Sequence, residues 1–368
     1  MHLKKGEASQ IYRYVRDHHA NAHGSKLSAL VSYLKRMEGI KIGKYEASIK
    51  TRELEKLYKL EEIHHLLPGL QQIAEHRRII VLVDELDRGW DSSEDARAFV
   101  AGLFQACLSV NSLHDNLRVY ISLRKELYDD IPALYEDAQK YRDLIETIHW
   151  TEASLLTLMA NRIRHSLPAL AAHDDLECWS SLFAPPPGQP RARSFGYMID
   201  RTLYRPREII QFCTQVIEFA LDGQAGPPWP YRTITGAEAL YSAERARDIA
   251  AEYRFQWPGL LTVIDSFRGQ PPVIGRDDLE LLCLGLITRD IPSSGTASWL
   301  DDCTPEGLIE ILWQVGLLRA EADSASGDGQ PADGLFLGSH QVRRLSLAAV
   351  QRFQVHPMFH AYLDPGRP

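Results

Sequence analysis

Asp84 and Glu85 stand side by side directly after five apolar β-formers, Ile79-Ile-Val-Leu-Val83, and Asp87 follows two residues later. Adjacent carboxylates in that position suit nucleotide chemistry. Asp84 can hold Mg²⁺, directly or through water, and Glu85 can orient or deprotonate an attacking water. Open α/β sheets bind ligands outside the carboxyl ends of their strands, which is where this pair falls. The plain alternative is a buried strand ending in a solvated polar loop. The third acid tips the reading toward an acidic nucleotide site.

Other cations and hydroxyls could join it. Arg124 ends the strand-like run Leu117 to Leu123 and can reach a γ-phosphate, or simply be solvated at a strand end. Ser122 can meet the nucleotide through its hydroxyl, or serve as an ordinary strand serine. Arg205-Pro-Arg207 opens a helix, from which an arginine can touch phosphates or stand in solvent. A glycine-rich phosphate loop ending in Lys-Ser/Thr is missing. Such a loop needs its glycines so that backbone N–H groups can wrap the phosphates. Gly39-Ile-Lys-Ile-Gly43-Lys44-Tyr45 has the wrong glycine spacing and ends in a poor Mg²⁺ ligand, and Gly24-Ser25-Lys26 fares no better.

The elements that must position these residues follow from periodicity. Ile79 to Val83 has no polar face, which predicts a strand buried on both sides in a parallel sheet. Before it, Leu54 to Ile73 carries apolar residues at threes and fours, a helical stripe in which Pro68 marks a break or a new first turn. After it, Asp91 can cap a helix with Glu94 completing a capping box. Leu117 to Leu123 is a second strand, 125–142 a helix, Leu144 to Trp150 a third strand, and Thr151 caps the next helix. Strand and helix alternate as in βαβ units. Beyond the Pro-rich loop 184–190 the chain reads helical, with Thr235 capping a long helix. Shorter helices and strand-like pieces then close the chain, a pattern that suggests a winged helix. Arg343, Arg344 and Arg352 near its hairpin can touch DNA phosphates, although internal packing or partner docking is the favoured role.

Totals narrow the classes. The chain has 368 residues, is 45% hydrophobic and 24% charged, and carries a formal charge of −8. It is a soluble globular composition, too long for one small core, and too acidic to coat nucleic acid. No apolar run approaches the roughly 18 residues that span a bilayer. The start shows no secretory signal, so a cytoplasmic location is expected. Five scattered cysteines give neither zinc nor disulfide spacing. His64-His65 and the pair His356/His360 read as surface or packing histidines rather than metal ligands.

With those residues in view, the chain resembles a bacterial P-loop ATPase family of the broader AAA+/STAND/KAP-like group. The likeness rests on a Walker B-like run at 79–106, a sensor-like strand and helix at 117–145, a helix start at 202–213, and the stretches 241–260 and 355–363. The resemblance implies Mg²⁺ at Asp84, a catalytic acid at Glu85, a sensor arginine at Arg124, and a lid contact from Arg207. It offers no counterpart for the Walker A lysine and Ser/Thr. The chain therefore reads as a shortened product, a mis-called start, or one piece of a split ATPase. The expected fold is α/β: a helical segment 1–45, a partial P-loop sheet 46–168, a helical lid 169–268, and a winged-helix-like end 269–368. The expected activity is a Mg²⁺-ATP switch whose phosphate loop is supplied or lost. The alternative is an ATPase scaffold without chemistry, acting through a protein partner or self-association; a DNA-binding regulator is the weaker third reading. No membrane association is expected.

Overall fold

In the computed structural model, residues 60–87, 90, 93–129, 131, 142–289, 297–322, 334–342 and 345–364 are described. The chain divides into two compact units, with the boundary between Ile145 and Glu146. The segment 1–45, Arg343, Arg344, the capping residue Asp91 and the Gly39–Lys44 string lie outside the described residues.

The first unit begins with helix α1, Leu60–His76, which runs straight through Pro68. The break expected there does not occur. Strand β1, Ile79–Val83, follows after two residues. Helix α2, Glu94–Asn111, crosses to strand β2, Leu117–Ile121. The N-cap of α2 is Ser93, whose side chain accepts from the Ala96 N–H, so the cap is not Asp91. Helix α3, Lys125–Asp129, comes next. β1 and β2 pair in parallel, in register from Ile79 with Leu117 to Val83 with Ile121. Trp90, Val100, Leu127 and Ile131 form the buried core beside this pair.

Two further sequence expectations fail in this unit. β1 is not covered on both sides: Ile80 is 50%, Val81 42% and Leu82 76% exposed. Among the described residues its sheet has only two strands, so there is too little structure to bury it. Leu144 to Trp150 is not a third strand. A 3₁₀ turn at Arg142–Leu144 gives way to irregular chain, with Leu144 66% and Ile148 79% exposed. A β-prone sequence becomes a strand only when it finds an edge to pair with.

The two edges of the small sheet differ. The Ser122 N–H donates to Val83 O at 2.8 Å, and the Ile79 N–H to Asn116 O at 2.7 Å. Alternation then turns the backbone of Val119 away from β1. Asn111 satisfies it there. Its amide donates to Val119 O at 3.0 Å, and its carbonyl accepts from the Val119 N–H at 2.6 Å. That side chain closes the β2 edge. By the same alternation the backbones of Ile80 and Leu82 face the other edge, along which no described strand runs.

The second unit holds the large core. Helix α4, Glu152–Ser166, starts with a capping box between Thr151 and Ser154, and α5, Asp175–Ser180, with one between Asp174 and Glu177. Helices α6, Ala192–Ile199, α7, Pro206–Asp222, and α8, Tyr231–Glu252, complete the helical part. α8 begins at Tyr231 after Pro230, one turn before Thr235, so Thr235 is not its cap. α7 and α8 pack along their length, with Phe212 and Tyr241 stacked at 4.1 Å. Trp179 is fully buried, and its indole N–H donates to Ser194 Oγ at 3.0 Å.

Helix α9, Leu260–Asp265, leads to β3, Val273–Gly275, α10, Arg276–Ile287, and α11, Pro305–Gln314. Strands β4, Leu318–Glu321, β5, Phe336–Leu337, and β6, Arg352–Val355, follow. The short helix α12, His360–Leu363, ends the described chain. The sheet is antiparallel in the order β3-β6-β4-β5. Phe353, Leu318 and Ala320 bury its inner face.

Candidate functional site

The carboxyl ends of β1 and β2 lie side by side, and the predicted residues of the first unit gather there. Asp84 and Glu85 leave β1 as exposed side chains. Glu85 holds φ 60, the left-handed region that disfavours a residue with a Cβ. Arg124 Nη1 comes within 3.7 Å of Asp87 Oδ2, and so links the acidic turn to the end of β2. A half-exposed pair of that kind is worth about 0–1 kcal/mol in stability. Ser122 is exposed, and its backbone N–H ties it to β1. Arg207 belongs to the second unit, exposed on the first turn of α7.

The carboxylates could supply part of a Mg²⁺ shell. Mg²⁺ keeps several waters and takes one or two carboxylates plus substrate phosphates. Asp84 and Glu85 can provide those carboxylates. No cluster of three or more His, Cys, Asp or Glu suited to a metal exists among the described residues. A metal here would therefore depend on phosphate oxygens for the rest of its shell. The described residues include no glycine-rich loop to hold those phosphates.

The second unit contains a polar group that sequence reasoning missed. Glu208, 2% exposed, lies between α7 and α8. Its Oε2 accepts from the Leu203 N–H at 2.5 Å, and its Oε1 stands 3.6 Å from Arg245 Nη2 and 3.8 Å from Arg205 Nη1. Burial raises the Glu208 carboxyl above its usual range, against the pull of both arginines. Arg205 itself pairs with Glu252 at 2.9 Å, and Arg245 with Asp248 at 3.0 Å. Burial also pushes the Cys283 thiol up to about 12, and Cys213 higher still, so both are inert packing residues. His356 is fully buried, and its Nδ1 accepts from the Met358 N–H.

Comparison with known proteins bears on the helical part. Residues 153–250 match the FunZ-associated C-terminal helical domain. The match runs from α4 to the last turn of α8 and includes Glu208 and Arg245. Over 290 residues the chain is 23% identical to the putative transposon gamma-delta 80.3 kDa protein of Escherichia coli (strain K12). That alignment covers 75% of this chain and 39% of the relative, so the chain spans well under half of the relative's length. Neither description names an ATPase. No solved structure matches. No helix among the described residues is long and apolar enough to cross a membrane.

Proposed function

We propose that the chain is part of a P-loop ATPase-type switch, in which Asp84 and Glu85 serve Mg²⁺-ATP and further polypeptide supplies the phosphate loop. The observation that carries this reading is the shared carboxyl end of two parallel strands, where Asp84, Glu85 and the Asp87–Arg124 pair converge. When bound, Mg²⁺ would neutralise charge on the transferred phosphoryl group. Asp84 would hold it. Glu85 would orient water, and its positive φ costs about 1–3 kcal/mol, a strain of the kind that collects at working sites. Arg124, steadied by Asp87, supplies positive charge beside them. Arg207 enters as a cation on the helical part, read there as a lid, with the antiparallel sheet and α9 to α11 as a winged-helix-like end. The edge of β1, along which no described strand runs, suits strand addition by a protein partner, and cytoplasmic location accompanies that role.

Calorimetry of the purified chain with ATP at millimolar Mg²⁺ tests it. Binding heat that vanishes in Asp84→Asn, with Glu85→Gln binding normally but failing to hydrolyse, is the expected result. No heat, and no nucleotide effect on the melting temperature, favours the second reading: an ATPase-like scaffold that works through protein contacts. The mobile-element association in the relative's name is compatible with either role.

A further inference from the structure

Inside the second unit, a group of cations and histidines joins the antiparallel sheet to the helical part. Arg319, on β4, is 5% exposed. It donates to Asp200 Oδ1 and to Asp200 O, both at 2.7 Å, at the end of α6. Its Nη2 also lies 3.0 Å from His356 Nε2. His356 is fully buried between β6 and the 3₁₀ turn Pro357–Phe359. His340, beyond β5, packs between Tyr204 at 5.4 Å and His356 at 6.3 Å, ring centre to ring centre. Both His340 ring nitrogens are buried without a hydrogen-bond partner.

The proton inventory of this group is unfavourable. A neutral imidazole has one N–H and one lone pair. His356 faces two donors, the Met358 N–H and the Arg319 guanidinium, and neither has a lone pair to return. One contact already sets donor against donor, and a second ring proton would make both so. The acids nearby are committed elsewhere. Asp200 holds Arg319, Glu238 holds Arg201 at 2.6 Å and also the Tyr197 hydroxyl, and Glu208 lies between Arg205 and Arg245. Glu152 acts on Tyr204 only through space. His360, on α12, bonds Val355 O through Nε2 at 2.7 Å. A histidinium here meets Arg319, Arg205 and Arg201 without a spare carboxylate.

We propose that this seam is an acid-sensitive latch: proton uptake by His340 and His356 parts β4 and the His340 turn from β6, from the end of α6 and from Pro357–Phe359. Burial and Arg319 hold His340 down to about 3 and His356 well below the ordinary imidazole range. For a base depressed in the closed state, closure is at full strength above the open-state value near 6.5. It weakens as pH falls below that value. Each proton taken up on opening shifts the equilibrium about tenfold per pH unit, so two shift it about a hundredfold.

Hydrogen exchange of the full chain between pH 7.5 and 5, corrected for intrinsic rates, tests the latch. Protection of the amides Leu318 to Glu321 is expected to fall about a hundredfold per pH unit below 6, while amides of α7 keep theirs. His340→Phe, which preserves the ring against Tyr204, is expected to reduce that slope to about tenfold. The proposal is overturned if β4 stays protected at pH 5, if α7 opens with it, or if the variant's slope equals that of the wild type.

Discussion

Glu208 is the residue whose removal should be felt most. It is a carboxylate inside the α7–α8 contact, facing two arginines, and one of its oxygens caps the Leu203 N–H. Arg205 and Arg245 keep Glu252 and Asp248, but Glu208→Ala leaves the buried Leu203 N–H without its acceptor, so it is expected to cost about 1–3 kcal/mol in denaturant unfolding. Glu208→Gln keeps the shape and the acceptor for Leu203, and should cost clearly less. Equal costs for the two would mean that the charge, lost in both, is what matters there and not the acceptor for Leu203. The sequence drew attention to Arg207, one residue away, because a cation at a helix start suits phosphate. In fact Arg207 faces solvent and Glu208 faces inward. Phase explains the miss. Glu208, Phe212 and Gln215 fall on one helical stripe with the apolar residues, and composition hides two polar members of a buried face. Asp84, Glu85 and Arg124 were legible because acids and cations directly after apolar strands mark a sheet's carboxyl end whatever covers the sheet.

The elements show the same limit. Both strands of the first unit, the helix between them and the parallel pairing could be read from alternating runs. Coverage could not, because an all-apolar strand records what it is able to bury against and not what is present. Leu82 makes the point measurable. At 76% exposure, Leu82→Lys should change stability by no more than about 0.5 kcal/mol. A loss nearer the roughly 1.5–3 kcal/mol of a fully buried leucine would show that this face is covered in solution. Asn111 was also invisible in the sequence. A single amide that imitates a neighbouring strand for Val119 has no periodic signature. Among the described residues it makes the sheet one-sided, closed along β2 and without a strand along β1.

At the scale of the whole molecule, burial is distributed unevenly. The first unit rests on Trp90, Val100, Leu127 and Ile131, with apolar strand residues left exposed. The second has a continuous core from Leu155 on α4 to Leu363 on α12, reinforced by Trp179, Phe212 and Tyr241. The stretch between them, 145–150, has no regular structure and leaves Ile148 79% exposed. Proteases cut where backbone opens cheaply, and opening is cheapest where few apolar contacts are lost. Brief digestion should therefore consume the first unit and leave a resistant fragment starting close to Glu146, readable by mass spectrometry. That fragment would contain all of 153–250, the stretch matching the FunZ-associated helical domain. An early cut inside α4 to α8 would contradict the uneven core. A resistant product reaching back to α1 would mean instead that the bare face of β1 is shielded in solution. The same digest with ATP and Mg²⁺ extends the argument, because a ligand that binds only the folded form protects it. If Asp84 and Glu85 bind nucleotide, the first unit should survive longer in its presence while the second is cut at an unchanged rate. Protection lost in Asp84→Asn would tie the effect to those carboxylates.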